Sequence, residues 1–253
     1  MRKVLCSIGI ASHQELLEIA RPCFEAYAAK HGYDLVLISK STIPAPWPDR
    51  ILGLFGIDER HLVDRIVRKI VRMGNNTVSR YADLPRPPSW EKIRLIRELF
   101  ADYDAVFWID SDAVIIDDSV DIAEEIEADK WLYITESYGH INAGVFLILQ
   151  CAQSKRFLDD IWSRTAFIFH IFWEQAAMLD LLGFKVSKEL NVVKVRPSPY
   201  ETGIKIIDPS WNSIPPNGVT PARIRHYAGR SHLERVEQMT LSTSCLKSPS
   251  VHS

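Results

Sequence analysis

An α/β domain with a mixed, mostly parallel central sheet is the fold class this sequence predicts, and three observations carry it. An apolar run, a helix-patterned stretch and a second apolar run follow one another at the amino terminus, the order of a parallel strand-helix-strand unit. Strand-like and helix-like stretches continue to alternate down the chain. With 253 residues and 47% hydrophobic content, the chain can bury a sizeable core. One domain over residues 1–239 is expected, with 240–253 as a flexible tail.

The elements follow in order. VLCSIGIAS reads as the first strand, and HQELLEIARPCFEAYAAKHG as a helix with apolar residues three and four apart, stopped by Gly32. YDLVLIS is the second strand. After a loop rich in proline and tryptophan, a helical run extends from about Asp58 to Met73. WEKIRLIRELFADY is the next helix, with Ser89 as its expected N-cap. AVFWID is a strand, DIAEEIEADK an acidic helical stretch, and WLYIT and AGVFLIL further strands. Helices cover about Ser154 to Leu182, and short strands such as VVKVR and KIID fill the proline-rich remainder.

Composition narrows the function. A formal net charge of -2 gives no global pull toward nucleic acid or an anionic membrane. Cys6, Cys23, Cys151 and Cys245 are scattered without metal-knuckle or redox spacing, which fits reduced thiols in a cytoplasmic protein. Arg2 and Lys3 before VLCSIGIA imitate a secretory signal, but the run is short and fits a buried strand better. No segment approaches the roughly twenty apolar residues of a membrane span, so a soluble protein is expected.

The stretch AVFWIDSDAVIID, Ala105 to Asp117, raises a chemical question: two aspartates separated by one serine leave a buried strand together. In an extended segment Asp110 and Asp112 point the same way and Ser111 opposes them. Two carboxylates side by side repel each other in a poorly solvated place, so something positive belongs beside them. In open α/β sheets, ligands bind beyond the carboxyl ends of strands, where this pair lies. Oxygen ligands favour hard divalent ions such as Mg²⁺ or Mn²⁺. The competing reading is a strand that simply ends in polar residues.

Taken in order, WEK, WIDSDAVI, INAGVFLI, WEQ and HYAG resemble the motifs of the retaining GT-A glycosyltransferases, most closely the galactosyl- and xylosyltransferase family of fungi and plants. The resemblance covers roughly Ser89 to Arg230. It implies a GT-A fold and transfer of a sugar from a nucleotide diphosphate sugar, a UDP-sugar, to an acceptor hydroxyl with retention of anomeric configuration. It implies Mn²⁺ or Mg²⁺ held by Asp110, Asp112 and His226, with Asp110 also serving the donor's ribose. It further implies Lys92 and Arg230 near the donor phosphates, and Asn142, Ala143 and Gly144 against the donor sugar. Glu174 and Gln175 are the implied catalytic pair. Ser7 and Gly9 at the end of the first strand are expected near the base by fold analogy. A catalytically inactive nucleotide-sugar- or glycan-binding module of the same fold is the alternative. A metal-dependent phosphohydrolase using Asp110 as nucleophile wants more carboxylates and a phosphate loop.

Residues 60–97 are unusually basic, with Arg60, Arg65, Arg68, Lys69, Arg72, Arg80 and Arg86. RIVRKIVRM places apolar and basic residues at helical spacing, as in an amphipathic helix with a solvated cationic face. The other reading is a surface for an anionic acceptor: a phosphorylated glycan, a lipid headgroup or nucleic acid.

Overall fold

The computed structural model describes residues 1–40, 86–168, 170–186 and 191–247. The expected helix from Asp58 to Met73, and most of the basic region, lie outside the described residues. Ten strands are described: β1 (Lys3–Ile8), β2 (Asp34–Ile38), β3 (Ala105–Ile109), β4 (Ala113–Ile115), β5 (Leu132–Ser137), β6 (His140–Leu149), β7 (Phe184–Val186), β8 (Val192–Lys194), β9 (Ile204–Ile206) and β10 (Ile224–His226). The α-helices are α1 (His13–His31), α2 (Glu91–Leu99), α3 (Ala152–Ser163), α4 (Trp173–Leu181) and α5 (His232–Lys247).

Six strands form the central sheet in the order β2-β1-β3-β6-β5-β9. β1 pairs parallel with β2 and β3, and β5 pairs parallel with β9, whereas β6 runs antiparallel to both its neighbours. The sheet is therefore mixed and mostly parallel, with β6 alone reversed. Alternation along the strands sorts their side chains to two faces. Val4, Cys6, Val106 and Trp108 pack in one cluster with Ile93 and Ile96 of α2, Phe157 of α3 and Leu179 of α4. Leu5, Phe107, Ile109 and Leu147 pack in the other with Leu16, Phe24 and Tyr27 of α1 and Met239 of α5. Helices on both faces give buried strands their near-continuous apolar runs.

Four local expectations need correction. Ser89 is not an N-cap: it lies inside a 3₁₀ turn, Pro88–Trp90, that leads into α2. DIAEEIEADK forms only a short 3₁₀ turn, Ile122–Glu125: a capping box between Asp121 and Glu124 starts it, and Ile126, extended at φ -65 and ψ 126, ends it. Thr240 to Lys247, expected in a flexible tail, continue α5, where Met239 is fully buried and Ser242 bonds the Tyr227 hydroxyl at 2.7 Å. Arg86, read as part of a cationic surface, is buried over the rings of Trp162 and Trp90, at 4.1 and 4.9 Å from their centroids.

No helix among the described residues is long and apolar enough to cross a membrane. Cys6 and Cys23 are buried free thiols and Cys151 is half-buried and free.

Candidate active site

β3 ends at Ile109, and the aspartates sit in the turn that follows rather than on an extended strand. The Asp110 N–H donates to the Gly144 carbonyl at 2.7 Å, and the Asp110 carbonyl accepts from the Ala113 N–H at 3.1 Å, which turns the chain into β4. The turn, not strand alternation, aims both carboxylates one way. β4 then pairs antiparallel with β10, setting His226 opposite Ala113. The Tyr227 N–H donates to the Asp112 carbonyl at 2.9 Å and completes the lock.

As a result His226 Nε2 lies 3.2 Å from Asp112 Oδ1 and 4.0 Å from Asp110 Oδ2. One ligand atom from each of the three residues falls within 4.8 Å of the others. Asp112 and His226 are buried, Asp110 partly so. Two carboxylate oxygens and one imidazole nitrogen form a donor set that fits a divalent ion.

The like-charged pair has counter-ions within the protein. Lys92, nearly fully buried, reaches Asp110 Oδ1 and Glu174 Oε1 at 3.0 Å each, and donates to the Ala143 carbonyl at 2.8 Å. It is a fixed internal cation, not the mobile one its place near a helix start suggests. Trp108 Nε1–H donates to the same Asp110 oxygen at 2.7 Å. Arg235 of α5 lies 3.3 Å from Asp112 Oδ2 and donates to His13 Nε2 at 2.9 Å.

These charges set the protonation states. Burial opposes ionisation of Asp112, yet His226 and Arg235 overcome it and hold the carboxyl well below its usual range. Burial likewise opposes charge on His226, and Asp112 and Asp110 outweigh it and raise its pKa. Lys92 is disfavoured by burial but raised by Asp110 and Glu174. Burial raises Glu174, with Lys92 pulling the other way.

The remaining expected residues divide into two groups. Asn142, Ala143, Gly144 and Gln175 join the cluster. The Ala143 N–H donates to Gln175 Oε1 at 3.0 Å, and the Gly144 N–H to Asn142 Oδ1 at 2.9 Å. Gly144 is required sterically, since a Cβ there would stand 2.1 Å from His226 Cε1. Ser7, Gly9 and Arg230 stay outside this network. Ser7 is fully buried with its hydroxyl unpartnered, and Gly9 makes room for α1, because a Cβ would meet Leu17 Cβ at 2.5 Å. Arg230 pairs with neither aspartate among the described residues, whereas Arg235 lies beside Asp112.

Sequence reasoning missed Arg235 and Asn212. Asn212 is buried and its Oδ1 accepts from His226 Nδ1 at 2.9 Å, while its Nδ2 donates to Asn142 Oδ1 at 2.9 Å. No spacing or composition marks either residue.

The architecture is that of the GT-A fold, shared with solved glycosyltransferase structures. A glycosyltransferase involved in the glycosylation of the major capsid of PBCV-1 superposes with a TM-score of 0.59 at 16% identity, over 95% of this chain and 100% of its own. The bifunctional glycosyltransferase WbbM gives 0.53 at 10% identity, over 97% of this chain and 51% of its own. Apo GlyE of Streptococcus pneumoniae TIGR4 gives 0.50 at 13% identity, over 100% of this chain and 66% of its own. Identities this low show a shared fold. The sequence matches no protein-family model and no curated protein.

Proposed function

We propose that this chain is a divalent-metal-dependent glycosyltransferase that moves a sugar from a UDP-sugar to an acceptor hydroxyl with retention of anomeric configuration. The observation that carries this reading is the convergence of Asp110, Asp112 and His226 beyond the carboxyl end of β3, in a sheet of the GT-A type. Asp112 and His226, with Asp110, are the residues that hold the ion. When bound, it neutralises charge developing on the departing diphosphate. Lys92 fixes Asp110 and Glu174 in one buried constellation and so orders the floor of the site. Asn142 and the backbone at Ala143 and Gly144 border the donor sugar, and the base lies toward the end of β1, near Ser7 and Gly9.

Retention is supported by what the two candidate catalytic side chains are doing. An inverting enzyme needs a carboxylate free to take the acceptor's proton. Glu174, the acid that the motifs place here, is buried and ion-paired to Lys92 at 3.0 Å. Gln175 Oε1 is oriented by the Ala143 N–H and keeps a second lone pair, so its carbonyl dipole can stabilise a cationic anomeric carbon. The acceptor's proton then passes to the departing phosphate oxygen as the new glycosidic bond forms on the same face.

The test is a panel of nucleotide sugars with Mn²⁺, read by thermal stabilisation and by release of nucleoside diphosphate as opposed to inorganic phosphate. A UDP-sugar that stabilises the protein and yields UDP supports the reading. Stabilisation without UDP release, over a broad acceptor set, would turn it into a binding module.

A further inference from the structure

The hydrogen bonds around His226 contain a deduction that starts from one backbone group. The Gly144 N–H can only donate, so the Asn142 atom facing it at 2.9 Å must be the carbonyl oxygen, Oδ1. The same oxygen lies 2.9 Å from the Asn212 amide, which must therefore present its NH₂ to it. That turns Asn212 Oδ1 toward His226 Nδ1 at 2.9 Å, and an oxygen there requires a proton on Nδ1. With Nδ1 committed as a donor, Nε2 is the nitrogen left to face Asp112 and Asp110. Each member is held in place. Asn212 ends a 3₁₀ turn, Pro209–Asn212, that is capped by Asp208. The next residue, Ser213, exchanges backbone hydrogen bonds with β10 on either side of Arg225, donating to the Ile224 carbonyl at 3.0 Å and accepting from the His226 N–H at 2.9 Å.

We propose that Asn142 and Asn212 form an amide relay in which Asn142 sets the orientation of the Asn212 side chain, and Asn212 in turn sets which nitrogen of His226 is available to a metal ion. Asn142 thereby acts on the metal side of the site as a positioning residue, in addition to bordering the donor sugar. The inference deepens the glycosyltransferase reading and rests on it for the identity of the ion. Partners of a metal-ligating histidine are worth about 10–100-fold in metal affinity.

A loss-and-rescue series of variants probed with Mn²⁺ alone, read by electron paramagnetic resonance of the free ion, tests the relay. Asn142→Ala frees the Asn212 amide to turn its NH₂ toward Nδ1, and Asn212→Ala removes the acceptor altogether. Each should weaken Mn²⁺ by about 10-fold or more. A carboxylate has no donor end to turn the wrong way. The double variant Asn142→Ala/Asn212→Asp should therefore return to within about 3-fold of wild type, since an oxygen again meets Nδ1. An Asn142→Ala/Asn212→Asp protein that binds Mn²⁺ no better than Asn142→Ala overturns the relay. So does an Asn142→Ala protein that binds Mn²⁺ as wild type does.

A readout without metal separates this idea from the functional reading. In the ion-free protein the His226 Nδ1–H should give a protected ¹H–¹⁵N cross-peak that disappears in Asn142→Ala and returns in the double variant. If that pattern holds but no Mn²⁺ binds to wild type, the relay stands and the metal-dependent function falls. If wild type binds Mn²⁺ while the cross-peak is absent or indifferent to Asn142, the relay falls and the function stands.

Discussion

Replacing Gly144 by alanine tests how the site is packed, because the structure states what the added methyl would meet. The new Cβ would lie 2.1 Å from His226 Cε1 and 2.6 Å from His226 Nδ1. Ordinary contact between such atoms is about 3.5–4.0 Å, so one side must move by more than about 1 Å. Neither side is free. The Gly144 carbonyl accepts from Asp110 at 2.7 Å and its N–H donates to Asn142 at 2.9 Å, while His226 is held by Asn212 and lies opposite Ala113 across the β4–β10 pair. Gly144 does not sit at positive φ, so the penalty is steric. Overpacking of this kind costs about 2 kcal/mol, or ~4–8 °C in melting temperature for a domain of this size. Displacing the imidazole by about 1 Å should also weaken Mn²⁺ binding by at least 10-fold. Gly32→Ala is the control: Gly32 has φ 68 with nothing within 4 Å of an added Cβ, so it should cost about 1 kcal/mol of strain and leave Mn²⁺ untouched. Differential scanning calorimetry and Mn²⁺ titration on the two variants decide the matter. A Gly144→Ala protein that keeps wild-type Mn²⁺ affinity would show that His226 is not positioned by this contact.

The remaining predictions concern charge and chemistry. Asp112→Ala should abolish Mn²⁺-dependent UDP binding measured by calorimetry, with His226→Ala weakening it less; unchanged binding in Asp112→Ala removes that residue from the metal site. Gln175→Ala should slow transfer by about 10-fold or more while donor affinity stays near wild type, as for an interaction made mainly in the transition state. Equal loss in binding and rate would count against that role. Asp121 is opposed by burial but depressed by Lys3 at 2.5 Å and the Tyr33 hydroxyl at 2.6 Å, so its stabilisation is complete above the ordinary aspartate range and fades as pH falls through the depressed value. The melting temperature of Asp121→Asn should therefore lie below wild type at pH 7 and converge with it as pH falls below the ordinary aspartate range; a gap that does not change with pH contradicts the assignment. Finally, Mn²⁺ and UDP should each bind about 10-fold more tightly in the presence of the other, and independent titrations that show no such coupling argue against a shared site.

What could be read from the sequence was whatever leaves a periodic or local trace. β1, α1 and β2 were legible because apolar spacing of two and then three to four residues maps onto strand and helix, and because Gly32 closes α1 in the left-handed conformation that favours glycine. Asp110 and Asp112 were legible because two acids at the end of a buried run demand an explanation. β4 and β10, three residues each, are too short to carry a period, although they bring His226 to the aspartates. The acidic stretch after Asp121 looks helical by composition, but its charges have longer-range work. Asp121 collects Lys3, Tyr33 and its own cap, and Glu125 and Glu127 both pair with Lys205. Asn212 and Arg235 were invisible for a related reason: each acts on a residue many positions away and belongs to no local pattern.

The carboxylates of Asp110 and Asp112 have counter-ions within the protein that bear on the function. Asp110 pairs with Lys92, which also pairs with Glu174, and Asp112 pairs with Arg235, all within 3.3 Å. A divalent cation bound beside these two positive side chains leaves excess positive charge in a poorly solvated place, which makes its binding alone weaker than its binding together with an anion. A nucleotide diphosphate alone would meet the two carboxylates. Entering together, the two bring compensating charges, and each removes the penalty carried by the other. Under the proposed function, Lys92 and Arg235 would therefore serve as counter-ions to the aspartates before binding and as part of the positive surround of a diphosphate afterwards. On that reading the carboxylate pair makes electrostatic sense as a device for binding a cation and a polyanion as one unit.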